Sequence, residues 1–432
     1  MIKQYLENEA ISMLSRLDMQ QPFSLSIPMV AAASVSDDAF RLITDHLVRG
    51  NRELKLKVNG FIQKLNSNKF SNAAEAQSEY ALLKLRFNDT LDQLDIFADV
   101  LTQRSENRVG VWIAGLDVLA ADTLNVGFQL FEPPPIICFL ERGHGAAIRK
   151  ARTRLPGGDL NPVGIIQVPR ERMVGSGIAS SLIHEVGHQA AASLDLVTSL
   201  RDAIKAKSRI SSSDKKQAWD LFDRWISEIV ADFWAMGHLG IGASQGLMNV
   251  VSLPQYFVFR IKLDDPHPFP WIRVKLSLAF GEKLFPDPQW QRFQQLWQRL
   301  YPMDSINTEK KKIIEGIEKT IPEFTDLVIE HQTQKTKGMA LAEVLPIDGR
   351  SPNELRNYHK QWQNQLSRME KAKPSLVFAV IGQARADNQI SSIQESMLLS
   401  KLLTKWALAR SENRTLVKPV EKPQEEFSLF NF

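Results

Sequence analysis

The chain of 432 residues contains a single cysteine, Cys138. One thiol excludes an internal disulfide, and a chain without disulfides suits a reducing compartment, so we expect a cytoplasmic protein. The thiol lies in an apolar run, 136–140, whose composition indicates a buried strand. We therefore expect Cys138 to be a packing residue rather than a catalytic or metal-bound one.

Long apolar runs are also missing. The best candidates, 26–35 and 109–121, are too short or too interrupted to cross a bilayer, which takes about 20 apolar residues. Residues 1–9 lack the basic start and the continuous apolar core of a secretion signal. We therefore expect no membrane span and no secretion leader.

Charge of one sign is not in excess either, since 53 basic residues face 49 acidic ones. A chain with this balance does not favour nucleic acid or an anionic membrane surface as a partner. The remaining composition is ordinary for a globular protein, and the length predicts two or three structural units.

Helical periodicity dominates both ends of the chain, and strand signals lie between them. Residues 1–130 predict a helical N-terminal unit, 131–286 the central core and 287–410 a helical C-terminal unit. The predicted fold class is therefore mostly α, of the α+β type. Residues 411–432 have the composition of a disordered tail.

The tail ends in aromatic residues, which is unusual for a disordered segment. Its last six residues, 427–432, include Phe427, Phe430 and Phe432. This end is a candidate docking segment for a partner or for the body of the protein, and an uninformative terminus is an equally good interpretation.

One short motif in the central core carries chemistry. His184 and His188 flank Glu185 in the pattern His-Glu-x-x-His, within a stretch of helical periodicity. Histidines four apart lie on one helix face, so both rings can bind one metal ion, and Glu185 is directed toward a water beside that ion. The pattern predicts hydrolysis at a zinc ion, although it also occurs by chance in long helices.

Two neighbours of the motif support a helix that is packed closely at the site. Ser176 is suited to cap the start of this helix. Gly187 is unfavourable inside a helix by about 1 kcal/mol relative to alanine, so it predicts a close approach of another backbone.

A second helical segment, about 214–236, supplies further candidate ligands. Glu228 and Asp232 are four residues apart and therefore share a face. A hydrolytic zinc site needs three protein ligands and an open position, and Glu228 is suited to be the third ligand. Asp232 is suited to accept a hydrogen bond from the far nitrogen of a ligand histidine.

Other residues of this segment are expected to pack rather than to bind metal. His238 is expected to be a packing or capping residue, and the aromatic residues of this segment are expected to lie in the core: Trp219, Phe222, Trp225 and Trp234.

The combination resembles the gluzincin metallopeptidases, in which His-Glu-x-x-His is followed on a later helix by Glu-x-x-x-Asp. The resemblance implies one Zn²⁺ per chain, with His184, His188 and Glu228 as ligands, Glu185 as general base and Asp232 as the orienting carboxylate. It also implies a gluzincin-like catalytic core with a small sheet beside the zinc helix, flanked by helical units.

A third segment, 267–273, is similar to the His-Pro-x-x-x-x-Arg motif of the HtpX-like and prenyl-protease-like branch. It makes His267 a candidate to stabilise the transition-state oxyanion, with Arg273 as an alternative donor or as a structural support. A rigid surface turn over 265–270 is the competing interpretation. The resemblance spans roughly 162–286, and the branch's familiar members are membrane-embedded, unlike this chain.

A strand is predicted just before the metal helix. Its residues, 163–169, follow Pro162 and end at Pro169, and prolines at both ends suit an edge strand. By resemblance, such a strand borders the cleft and pairs with extended substrate. An internal strand of a small sheet is an equally good interpretation of the sequence.

These features predict zinc-dependent hydrolysis of peptide bonds in a protein or peptide substrate, with Glu185 as the base. Two alternatives stay open. The first is a catalytically silent, metal-stabilised scaffold or adaptor, although a structural site has no need of Glu185. The second is a metallopeptidase effector or toxin that acts in another cell.

Overall fold

The computed structural model describes residues 1–20, 23–141, 146–169, 175–262, 264–304, 306–363 and 365–412. The predicted docking segment 427–432 and nearly all of the predicted tail 411–432 therefore lie outside the described residues.

The described chain is mostly helical, as predicted, with one small sheet. Its strands are β1 (Ile136–Glu141), β2 (Ala147–Arg149) and β3 (Gly164–Pro169). Its helices are α1 (Ile2–Asp18), α2 (Phe23–Ser26), α3 (Asp37–Asn66), α4 (Ala73–Thr102), α5 (Asn107–Leu124), α6 (Gly177–Ser193), α7 (Leu196–Ile210), α8 (Ser213–Leu239), α9 (Ile241–Val251), α10 (Gln255–Val258), α11 (Pro270–Leu284), α12 (Gln289–Leu300), α13 (Thr308–Ile329), α14 (Leu341–Val344), α15 (Pro352–Trp362), α16 (Leu366–Lys371), α17 (Pro374–Ala386) and α18 (Ser392–Glu412).

The long N-terminal helices begin at polar caps that the sequence makes recognisable. The Ser36 side chain accepts a hydrogen bond from the backbone nitrogen of Ala39 at the start of α3. The Asn72 side chain accepts one from the backbone nitrogen of Glu75 at the start of α4. Each cap satisfies a backbone donor that the helix itself leaves unpaired.

The sheet has the strand order β1-β3-β2. β3 runs parallel to β1 and antiparallel to β2, so it is the central strand, and Ile166 pairs with Cys138 on one side and Ile148 on the other. The predicted edge position of 163–169 is therefore wrong, and the internal alternative is confirmed. Pro162 precedes the strand and Pro169 ends it, so neither proline removes a donor from the middle of the ladder.

The edge beside β3 is β2, a strand that the sequence analysis missed. Only Ala147, Ile148 and Arg149 form it, which is too short a run for alternating hydrophobicity to be recognised. The prediction for 136–140 is confirmed by β1, in which Cys138 is fully buried.

The core of the molecule surrounds α6 and α8. The four aromatic residues predicted to pack the second helix are fully buried in it: Trp219, Phe222, Trp225 and Trp234. The same apolar core extends from Trp112 on α5 to Trp406 on α18. The boundaries near 130 and 286 remain predictions. Within the described residues, no helix has both the length and the hydropathy that a membrane crossing needs.

Candidate active site

The first two candidate ligands lie side by side on α6. The rings of His184 and His188 are 4.8 Å apart between centroids and almost perpendicular. Glu185 lies between them in sequence and is 7% exposed. Burial raises the pKa of its carboxyl above the ordinary value, and the two histidines oppose this shift. The carboxyl is thus shifted in the direction that a general base near neutral pH requires.

Gly187 allows α8 to approach this face of α6. A Cβ atom at this position would lie 2.9 Å from Ala231 Cα and 2.9 Å from Trp234 Cβ. Such distances are too short for carbon contacts, so only glycine fits here. The predicted close backbone approach is confirmed, and it brings Glu228 and Asp232 of α8 to the histidines.

Glu228 completes a group that could hold a metal ion. One of its oxygens is 3.2 Å from His184 Nε2, and the other is 3.4 Å from His188 Nε2. Two ligands bound tetrahedrally to one zinc at ordinary bond lengths are about 3.3 Å apart. The donor set and these two distances are therefore compatible with one shared metal ion. Burial, which opposes ionisation, is outweighed by the histidine hydrogen bonds, so the pKa of Glu228 is lowered.

Asp232 contacts the other nitrogen of His184. Its Oδ1 lies 2.8 Å from His184 Nδ1, which leaves Nε2 directed toward Glu228. Burial lowers the pKa of His184, but the charge and hydrogen bond of Asp232 outweigh burial and raise this pKa to about 9. A metal ion bound at His184 Nε2 would therefore displace a proton from this imidazole.

Arg273 of α11 holds Asp232 in place. Its Nε donates to Asp232 Oδ2 at 2.7 Å, and one terminal nitrogen donates to Oδ1 at 2.9 Å. The same terminal nitrogen lies 3.5 Å from Glu228 Oε2. Burial raises the pKa of Asp232, but the Arg273 charge outweighs it and lowers this pKa to about 2. Arg273 therefore has the geometry of a structural support for Asp232 rather than of a donor that is free to bind the oxyanion.

His267 lies in the loop that leads into α11. Its Nε2 is 3.5 Å from Glu228 Oε2, so the ring borders the candidate metal site. Asp265 Oδ1 accepts a hydrogen bond from the His267 backbone nitrogen and lies 3.0 Å from its Nδ1. Asp265 to His267 thus form a local hydrogen-bonded bend that places His267 beside the site, whereas Pro268 and Phe269 are buried, so 265–270 is not wholly the surface turn of the competing interpretation. The side chain is 53% exposed.

A cavity of about 550 Å³ contains all the predicted site residues. Several residues that line it were missed by the sequence analysis: Ala146, Ala147, Ile148, Lys150, Ser180, Ser181, Ser227, Leu247 and Val250. Helical spacing would have identified Ser180 and Ser181, which lie one turn before His184 on the same face. Leu247 and Val250 carried no such signal, because only the packing of α9 against α6 brings them to the site.

Two secondary predictions near the site have different outcomes. His238 is 2% exposed, and its Nδ1 lies 2.9 Å from the carbonyl oxygen of Trp234, so it is the packing residue that was expected. Ser176 occupies the N-cap position of α6, but its hydroxyl makes no cap to that helix and donates instead to Glu395 of α18.

Comparison of the chain with protein-family models, with curated proteins and with solved structures finds no match. The resemblance to gluzincins therefore depends on the motifs and on their geometry.

Proposed function

We propose that this chain is a zinc-dependent peptidase with gluzincin-type chemistry. One observation carries the proposal: two imidazoles of α6 and one carboxylate of α8 lie close enough together to hold one metal ion, and Glu185 lines the same cavity. Three ligands and an accessible cavity are the arrangement of catalytic zinc, whereas structural zinc is enclosed by four ligands.

The chemistry assigned to Glu185 is proton transfer. Bound zinc supplies Lewis acidity, which lowers the pKa of water and polarises a carbonyl oxygen. Glu185 accepts the proton of the attacking water and later donates it to the departing amine. The raised pKa of its buried carboxyl supports this role because a more basic carboxylate accepts the proton more readily.

His267, just before α11, and Arg273, in its first turns, complete the proposed machinery. His267 stabilises the developing oxyanion, which its position beside Glu228 supports. Arg273 and Asp232 form a paired support that orients His184, since Asp232 bonds both the arginine and the imidazole.

The edge strand β2 supports a peptide as substrate. Ala147 and Ile148 line the cavity, and among the described strands β2 has one neighbour, β3, so its other edge is unpaired there. An extended peptide can bond to such an edge through its backbone, which would place a peptide bond beside the metal ligands.

The scaffold alternative predicts no turnover, and the cavity beside Glu185 disfavours it. The effector alternative shares the same chemistry, and genomic neighbourhood would distinguish it from a housekeeping peptidase.

The test compares metal content and hydrolysis in three proteins: wild type, Glu185→Gln and the double variant His184→Ala, His188→Ala. We expect about one zinc ion per chain in wild type and in Glu185→Gln. The rate at which a proteome-derived peptide library is hydrolysed should be at least about 100-fold lower in Glu185→Gln than in wild type. The double variant should lose zinc. Full hydrolysis by Glu185→Gln, or unchanged zinc in the double variant, would show the proposal to be wrong.

A further inference from the structure

A lysine in the cavity wall has no role in the proposed chemistry. Lys150 follows β2 directly, is half-buried and lines the same cavity as the metal ligands. Arg273, which also lines the cavity, is paired with Asp232. Within the described part of the chain, by contrast, the Lys150 ammonium has neither a hydrogen bond nor an ion pair.

The backbone around Lys150 is tied to the metal helix. The Ala151 nitrogen donates to Gln189 Oε1 at 2.8 Å, and Gln189 is the 3% exposed neighbour of His188. The carbonyl oxygen of Lys150 accepts a hydrogen bond from Thr153 Oγ1 at 2.6 Å. The base of the side chain is therefore held at a constant place relative to the ligands, as a specificity residue requires.

The charges of the cavity favour an anion beside Lys150. Among the described residues that line the cavity, three bear carboxylates: Glu185, Glu228 and Asp232. A bound divalent metal together with Arg273 would balance these three charges, which leaves the Lys150 charge in excess within the described lining. An ammonium that lines a cavity and has no partner among the described residues is available to pair with a ligand carboxylate, and such a charge-assisted hydrogen bond is favourable.

We propose that Lys150 binds a carboxylate of the substrate, so that the enzyme prefers peptides that bring an anionic group into this cavity. This inference rests on the proposed peptidase function. The carboxylate comes from an Asp or Glu side chain or from the peptide C-terminus, and both sources present the same chemistry to the ammonium.

The experiment uses four mixtures of acetylated octapeptides. The mixtures contain either Asp and Glu or, in their place, Asn and Gln, and each composition is made with a free or an amidated C-terminus. Cleavage is followed by mass spectrometry for wild type, Lys150→Met and Lys150→Arg. The matched control is Arg149→Met, which removes an exposed charge one residue away and outside the cavity lining. Circular dichroism verifies the fold of each variant.

We expect wild type to cleave carboxylate-bearing peptides roughly 10-fold faster than their amides, as one charge-assisted hydrogen bond would produce. The preference should disappear in Lys150→Met and persist in Lys150→Arg and Arg149→Met. A preference confined to the free C-terminus identifies the terminal carboxylate as the source, and one confined to Asp and Glu identifies the side chain. Equal cleavage of all four mixtures, or a preference that survives Lys150→Met, would overturn the inference.

A binding measurement separates this inference from the proposed function. Fluorescein-labelled versions of the four mixtures are titrated with Glu185→Gln protein and with the Glu185→Gln, Lys150→Met double variant. Lys150-dependent binding of the anionic peptides, without hydrolysis by wild type, would retain the inference and reject the peptidase. Absence of charge-selective binding would reject the inference whatever the hydrolysis result.

Discussion

The substitution Gly187→Ala tests whether the contact between α6 and α8 sets the geometry of the metal site. The new methyl group would lie 2.9 Å from Ala231 Cα and 3.1 Å from the Ala231 carbonyl oxygen. Carbon atoms in ordinary contact are about 3.5–4.0 Å apart, so α8 must move away by about 0.7 Å. Metal ligands tolerate errors of only about 0.2 Å, so this shift is large enough to disturb the site.

The expected effect on stability is small because two contributions oppose each other. Overpacking destabilises a core by about 1–3 kcal/mol, whereas alanine stabilises a helix by about 1 kcal/mol relative to glycine. The free energy of unfolding of the metal-free protein should therefore fall by about 1 kcal/mol. Zinc affinity should fall by at least about 10-fold, because Glu228 moves relative to His184 and His188.

A matched control for Gly187→Ala is Gly60→Ala in α3. Gly60 is also helical, and a Cβ atom there meets no neighbour within 4 Å. This control should gain up to about 1 kcal/mol and keep its zinc affinity. Denaturant titration with a chelator present measures stability, and competition with a chromogenic chelator measures affinity. If Gly187→Ala behaves like Gly60→Ala in both measurements, α6 and α8 are not in the contact described.

Three further outcomes are expected. Asp232→Asn should weaken zinc binding on the order of 10- to 100-fold in a chelator competition, since an amide orients His184 less well; unchanged affinity would contradict the support role. His267→Ala should keep zinc and KM but lower kcat about 100-fold if the ring stabilises the oxyanion, and an unaltered kcat would remove it from the catalytic group. Burial lowers the pKa of His238 to about 3, whereas the unfolded chain takes up this proton near pH 6.5. The free energy of unfolding should thus fall as pH drops from 6.5 toward 3, by on the order of 4 kcal/mol for this group. Measured with chelator present, His238→Met should show a smaller fall over the same pH range.

The chemical residues of the candidate site could be predicted because their constraints are local. Spacing along a helix determines which side chains share a face, so the pairs His184 with His188 and Glu228 with Asp232 follow from four-residue intervals. Gly187 was informative for a similar reason. A glycine that disfavours its own helix indicates that a neighbour needs the space, and Ala231 is that neighbour.

The walls of the cavity could not be predicted in the same way. β2 has three residues and acquires its extended form from pairing with β3, so its sequence contains no strand signal of its own. The error for 163–169 has the same origin. Prolines at both ends indicate where a strand can begin and end, but the number of its neighbours depends on the rest of the sheet.

The start of α6 is held by a residue that is distant in the sequence. The predicted cap, Ser176, donates its hydroxyl and backbone nitrogen to Glu395 Oε1, at distances of 2.5 and 3.1 Å. Arg385 of α17 lies 3.5 Å from the other oxygen of Glu395, which is 6% exposed. A carboxylate at a helix N-terminus interacts favourably with the helix dipole and with its unpaired donors. α18 provides this carboxylate, 219 residues after Ser176. The C-terminal helices therefore help to position the proposed zinc ligands. A pattern within a short stretch of sequence could not reveal this long-range contact.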